Sequence, residues 1–203
     1  MADDRLPPDI DPASRCRLPL PDRDGLDDAG KRTYDSLADP KGGSLAGLQG
    51  PGGIRLHSPE VSRGLRPVNL YLRNDAGIDP RTRELAILVT AREHDCLFEW
   101  AAHEEEGLAC GLSPEIVDIV RRRLPTDGLG EADAAIVAFG RELFGGHAVS
   151  AETYARVAAL FDRRTLVDLV NLMGMYAMTA AVLIAFDAHP PADAKIDFPS
   201  VPR

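Results

Sequence analysis

The chain has 203 residues, 44% of them hydrophobic, and 23 basic against 32 acidic side chains leave a net charge of -9. That length holds one full domain with an arm, or two small ones, and the acidic balance excludes the non-specific nucleic-acid binding that runs on counterion release by Lys and Arg. Three cysteines, Cys16, Cys96 and Cys110, are odd in number and share no metal-site spacing, so they imply reduced thiols in a cytoplasm rather than a disulfide framework.

The first residues, Met1 to Arg5, are acidic and carry no apolar run, so no secretory signal is expected. Nine of the 16 prolines precede residue 71, and only Pro114 and Pro125 fall between Arg81 and His189. The chain therefore reads as an N-terminal arm over 1–78, a helical domain over 79–189 and an irregular tail over 190–203 containing Pro190, Pro191, Pro199 and Pro202.

In the arm, Leu26 to Leu37 has helical character. Gly42 to Gly53, with the turn pair Pro51-Gly52, reads as a flexible connection, because it holds neither phosphate-binding glycine pattern. Ser58-Pro59-Glu60 opens a helix to about Arg73, bent near Pro67. Asp79-Pro80 starts the main block, whose first helix runs from Arg81 to Arg92. Its apolar Leu85 to Val89 show no strand alternation, so a buried helix is expected. Further helices follow from Cys96 to Cys110, from Pro114 to about Arg123, from Glu131 to Phe144, from Ser150 to about Phe161, and from Asp162 to Phe186. Leu169 to Phe186 carries no charge. Asp168 and Asp187 bracket it, and Gly174, Ala177, Ala180 and Ala181 would let a neighbour approach. A core or interface helix is expected there, not a membrane span.

Cys96, Glu99, Trp100 and His103 are spaced to share one helical stripe. Glu99 and His103, one turn apart, form a candidate acid/base pair, since imidazole titrates near neutrality and a carboxylate can orient it. By pattern alone the same pair also reads as a solvated helix pair, Trp100 as core, and Cys96 as an inert buried thiol. Metal ligation by Glu84, Glu99 and His103 is a further reading, but the spacing is neither Glu-x-x-His nor His-Glu-x-x-His, and no metal is assigned.

Arg83-Glu84, Ala91-Arg92, Glu99-Trp100, His103 and Gly111-Leu112-Ser113 together resemble the carboxymuconolactone decarboxylase and alkylhydroperoxidase D-like superfamily, most strongly over 80–125 and more loosely to Gly174 and Tyr176. The resemblance implies an all-α helical bundle with an antiparallel active-site hairpin, no bound cofactor, and a homo-oligomer (trimer or hexamer, with a dimer as the alternative). In the redox branch the hairpin carries Cys-x-x-Cys-x-x-x-His preceded by a Glu. Here Cys96, Glu99, His103 and Glu84 stand at those positions, so Glu99 replaces the second Cys and no local disulfide can form. The decarboxylase branch has a Glu-x-x-x-His pattern like Glu99 to His103.

The resemblance thus implies a decarboxylase-like lyase or isomerase of aromatic-compound catabolism, acting on a small carboxylate or lactone. His103 would be the acid/base, Glu99 its orienting partner, and Glu84 a relay. Trp100 and Tyr176 would be substrate-binding walls. The alternatives are a one-cysteine thiol peroxidase working through Cys96, and a non-catalytic helical oligomer that binds a small acid or a protein.

Overall fold

The computed structural model describes residues 6–42, 44–194 and 196–199. Met1 to Arg5, on which the signal-peptide expectation rests, and Pro202 of the tail lie outside them. The fold is all-α, with no strand among the described residues and one isolated bridge between Asp11 and Cys16. Nine α-helices are described: α1 (Asp28–Ala38), α2 (Pro51–Leu56), α3 (Pro59–Asn74), α4 (Pro80–Glu93), α5 (Leu97–Ala109), α6 (Pro114–Arg121), α7 (Glu131–Gly140), α8 (Ala151–Leu160) and α9 (Arg163–Ala185).

Capping explains most of the starts. Asp79, Ser113 and Ser150 each accept the backbone N–H three residues on, from Thr82, Ile116 and Thr153, and Pro80 and Pro114 take the first helical positions. The segment Gly42 to Gly53 departs from the expected flexible connection. It holds a 3-10 turn at Gly47–Gln49 and then α2, because Pro51 sits where its fixed φ starts a helix rather than a turn. The helix after Glu131 also ends early as an α-helix, at Gly140, and widens into a π turn over Arg141–Gly145.

The chain divides into two compact units. One comprises the residues up to Val68 with Ala181–Ala194. Ile10, Cys16, Leu37, Ile54, Leu56 and Leu183 are buried in it. Its irregular arm is held by the segment after α9: Arg17 N–H donates to Phe186 O at 2.8 Å, His189 N–H to Arg15 O at 2.8 Å, and Arg15 Nε to Pro190 O at 2.9 Å.

The other unit comprises Asn69–Ala180 with the tail after Ala194. Every residue of α4 from Glu84 to Arg92 is buried, which accounts for the missing alternation, since a helix apolar on all sides belongs inside a core. The turn joining α4 to α5 is short. Asp95 takes a left-handed φ of 50°, Asp95 N–H donates to Arg92 O and Cys96 N–H to Ala91 O, a Schellman closure that reverses the chain. Gly111, at φ 96°, closes α5 the same way through Leu112 N–H to Gly107 O.

Gly107 lets the two arms of this hairpin approach. A Cβ there would stand 2.9 Å from Leu112 Cδ1, 3.2 Å from Leu88 Cδ1 and 3.6 Å from Glu84 Cβ. The first two are flexible side-chain ends, and alanine recovers about 1 kcal/mol of helix propensity. Gly107→Ala is therefore expected to be near neutral in urea unfolding. Gly107→Val, with two branches in the same space, should cost about 1–3 kcal/mol.

α9 is, among the described residues, the helix long and apolar enough to cross a membrane by length and composition alone. Nearly half of its apolar stretch is buried, with Leu169, Leu172 and Met173 fully so. Asp168, at its start, accepts the Tyr71 hydroxyl at 2.7 Å.

Candidate active site

The hairpin brings Glu84 of α4 and Glu99 and His103 of α5 together in the interior, with exposures of 0%, 3% and 4%. Glu84 Oε2 lies 2.7 Å from His103 Nδ1, and Glu84 Oε1 accepts from Arg83 Nε at 2.9 Å. Glu99 Oε2 lies 3.6 Å from His103 Nε2, beyond hydrogen-bond distance. The group that holds the imidazole is therefore Glu84 on the facing helix, not Glu99 on the same helix. The reason is geometric. An i, i+4 pair shares a face but has no third element pressing it together, whereas the α4–α5 approach at Gly107 presses Glu84 onto the ring.

Burial pushes the Glu84 carboxyl up. The hydrogen bond and charge of His103 and the Arg83 guanidinium outweigh it, and the net direction is down. An ionised Glu84 is acceptor only, so His103 Nδ1 carries the proton and donates it. Nε2 is then the nitrogen left for chemistry, with Glu99 beside it.

Tyr176 of α9 meets the His103 ring edge-on, centroids 5.0 Å apart and planes at 86°. Burial raises its hydroxyl well above the ordinary phenol range, so it stays protonated at neutral pH. Trp100 is placed differently. It is fully buried, its indole N–H donates to Glu104 at 2.7 Å, its ring contacts Phe198 at 5.5 Å, and the Arg121 guanidinium lies 5.6 Å from its centroid. Glu104 is one turn along α5, Arg121 ends α6 and Phe198 lies in the tail, and none of these partners is one of those named for His103.

Cys96 sits at the cap of α5, where the helix start favours a thiolate. Burial overrides this. Together with the Glu99 charge, it pushes the thiol up to about 12 against the backbone N–H groups that favour thiolate. Cys96 should therefore alkylate slowly with iodoacetamide at pH 8 and quickly only in denaturant, followed by peptide mass spectrometry. Rapid native labelling would contradict this placement. No group of three or more His, Cys, Asp and Glu side chains among the described residues is arranged to hold a metal ion.

Two supporting residues went unread in the sequence. Gly107 has a signal there, a lone glycine one turn beyond His103. Asp133 has none: it takes both arms of the Arg81 guanidinium, 2.7 Å each, across 52 positions.

The fold and the site define an all-α hairpin protein with a buried carboxylate–histidine–carboxylate set. Residues 59–140 match the model of the carboxymuconolactone decarboxylase family. Among solved structures, the chain is similar to that of a protein of unknown function from Agrobacterium tumefaciens, suggested to be the antioxidant defence protein AhpD. The TM-score is 0.60 at 17% identity, covering 68% of this chain and 94% of that one. At that identity the likeness is one of fold. A comparison with curated proteins found no match.

Proposed function

We propose that the chain is a cofactor-independent lyase or isomerase of the decarboxylase-like kind, acting on a small carboxylate or lactone with a conjugated carbonyl. The observation that carries this reading is the buried 2.7 Å Glu84–His103 contact, which commits Nδ1 and leaves Nε2 as base or acid. In an isomerisation, Nε2 takes the proton from the carbon next to the carbonyl. The C–H electron pair moves into the carbonyl as an enolate, and the proton returns at another carbon. In a decarboxylation, the bond to the carboxylate breaks, carbon dioxide leaves, the pair delocalises the same way, and a proton on Nε2 passes to carbon. In the isomerisation the ring is cationic between taking and returning the proton, and in the decarboxylation it begins cationic, with a proton taken from solvent, and ends neutral; in both, the two flanking carboxylates compensate the charge. Glu84 positions the ring, Glu99 flanks the working nitrogen, and the Tyr176 hydroxyl is a donor for the enolate oxygen. Acid–base transfer supplies about 10²–10⁴ in rate, and charge stabilisation must supply the rest.

Incubating the protein with carboxymuconolactone and related unsaturated lactone acids tests the reading, by carbon dioxide release and by the change in conjugated absorbance. Turnover that vanishes in His103→Gln supports it. Turnover unchanged in that variant overturns it. The one-cysteine peroxidase alternative is weakened by the raised Cys96 thiol. A homo-oligomer is part of the proposal: α9 exposes Val167 (58%) and Met178 (39%), eleven residues apart and so on one helix face, suited to burial against another copy.

A further inference from the structure

A second cluster lies beside the site, around Trp100 of α5, and the proposed chemistry makes no use of it. Residues 196–199 form neither helix nor strand. The Phe198 ring lies between the Trp100 indole, 5.5 Å away and tilted by 55°, and the Arg92 guanidinium, 5.1 Å from its centroid. The preceding carboxylate, Asp197, accepts from Arg122 Nη2 at 2.8 Å and lies 3.5 Å from Arg121 Nη1. A ring between an indole and a guanidinium, with an acid held by two further guanidiniums one residue away, is how an aromatic acid is recognised.

The receiving face is built independently of the tail. Arg92 is buried and donates to Arg121 O at 2.6 Å. Trp100 is fixed through Glu104, which also pairs with Arg121. Asp118 pairs with both Arg121 and Arg122, Arg92 pairs with Asp95, and Arg121 Nε is buried without a hydrogen-bond partner. Asp197 itself is 65% exposed, so its hold is partial and displaceable.

We propose that Trp100, Arg92, Arg121 and Arg122 form a binding site for an aromatic carboxylate, and that Asp197–Phe198 of the chain's own tail is its resident occupant. A free aromatic acid competes with a tethered one, whose effective concentration is high. The site therefore opens to free ligand when the tail is removed or displaced.

Trp100 is the only tryptophan in the chain, so its fluorescence reports this site alone. The test uses the full chain and its Asp197→Ala/Phe198→Ala variant, titrated with 3-phenylpropionate. Removing the tail contacts should red-shift the emission. The acid should then give a saturable change in the variant, at least tenfold tighter than in the parent protein, and 3-phenylpropanol should give none. Equal affinity in parent and variant, a non-saturable response, or an equal response to the alcohol would each overturn the proposal. Should the double variant lose its helical circular dichroism, Phe198→Leu alone carries the same titration under the same criteria.

Discussion

Glu84→Ala should lower the unfolding free energy by about 3–5 kcal/mol, the range found when one partner of a buried charged pair is removed. Glu84 is fully buried, and its two oxygens serve His103 Nδ1 at 2.7 Å and Arg83 Nε at 2.9 Å. Alanine leaves both donors facing a void in a dry interior. Glu84→Gln should cost less, because its amide oxygen still accepts from one of them. Urea unfolding of the three proteins at neutral pH measures the order, and an Ala variant as stable as the parent would contradict the pairing.

The same carboxyl sets a pH dependence. Its folded value lies below the ordinary 4.5, so the folded state holds the ionised form more strongly than the unfolded chain does. Its contribution is fully present above 4.5 and is lost as the pH falls below that, through the folded value. The stability gap between the parent and Glu84→Gln should therefore be constant from neutrality down to about pH 5 and shrink below it. A gap that widened on acidification would reverse the assigned direction.

His103→Gln should lower kcat/KM by about 10²–10⁴ on any substrate the protein turns over, the share that a positioned acid/base supplies. Nitrogen-15 NMR of the imidazole gives a check that needs no substrate. Nδ1 should carry the proton in the parent, held by Glu84, and Glu84→Gln should disturb that tautomer while Cys96→Ala leaves it alone. Parent protein with the proton on Nε2 instead would remove the proposed base.

Helix positions were legible in the sequence wherever a cap or a fixed φ marked them, as at Asp79-Pro80 and Ser113-Pro114, because those signals act within one turn. Gly42 to Gly53 was less legible, since Pro51 serves a turn and a helix start equally well and only the finished packing chooses. Helical period alone placed Glu99 beside His103, whereas Trp100, read onto the same stripe, meets Glu104, Arg121 and Phe198 instead. The replacement of a second cysteine by Glu99 was legible too, and it turned the reading away from disulfide chemistry.

Which residue holds the imidazole was decided by the tertiary structure. Period places Glu99 on the face of His103, but the bond to Nδ1 comes from Glu84, 19 positions earlier, through an approach of two helices that no local rule encodes. The environment of Trp100 is the same kind of fact. Its partner Phe198 lies 98 positions away, in a tail whose prolines announced only irregularity. Local sequence determined the helices and the chemical groups they carry, because capping and period are short-range. The pairing of those groups awaited the fold, because burial, approach distance and charge compensation depend on residues far apart in the chain.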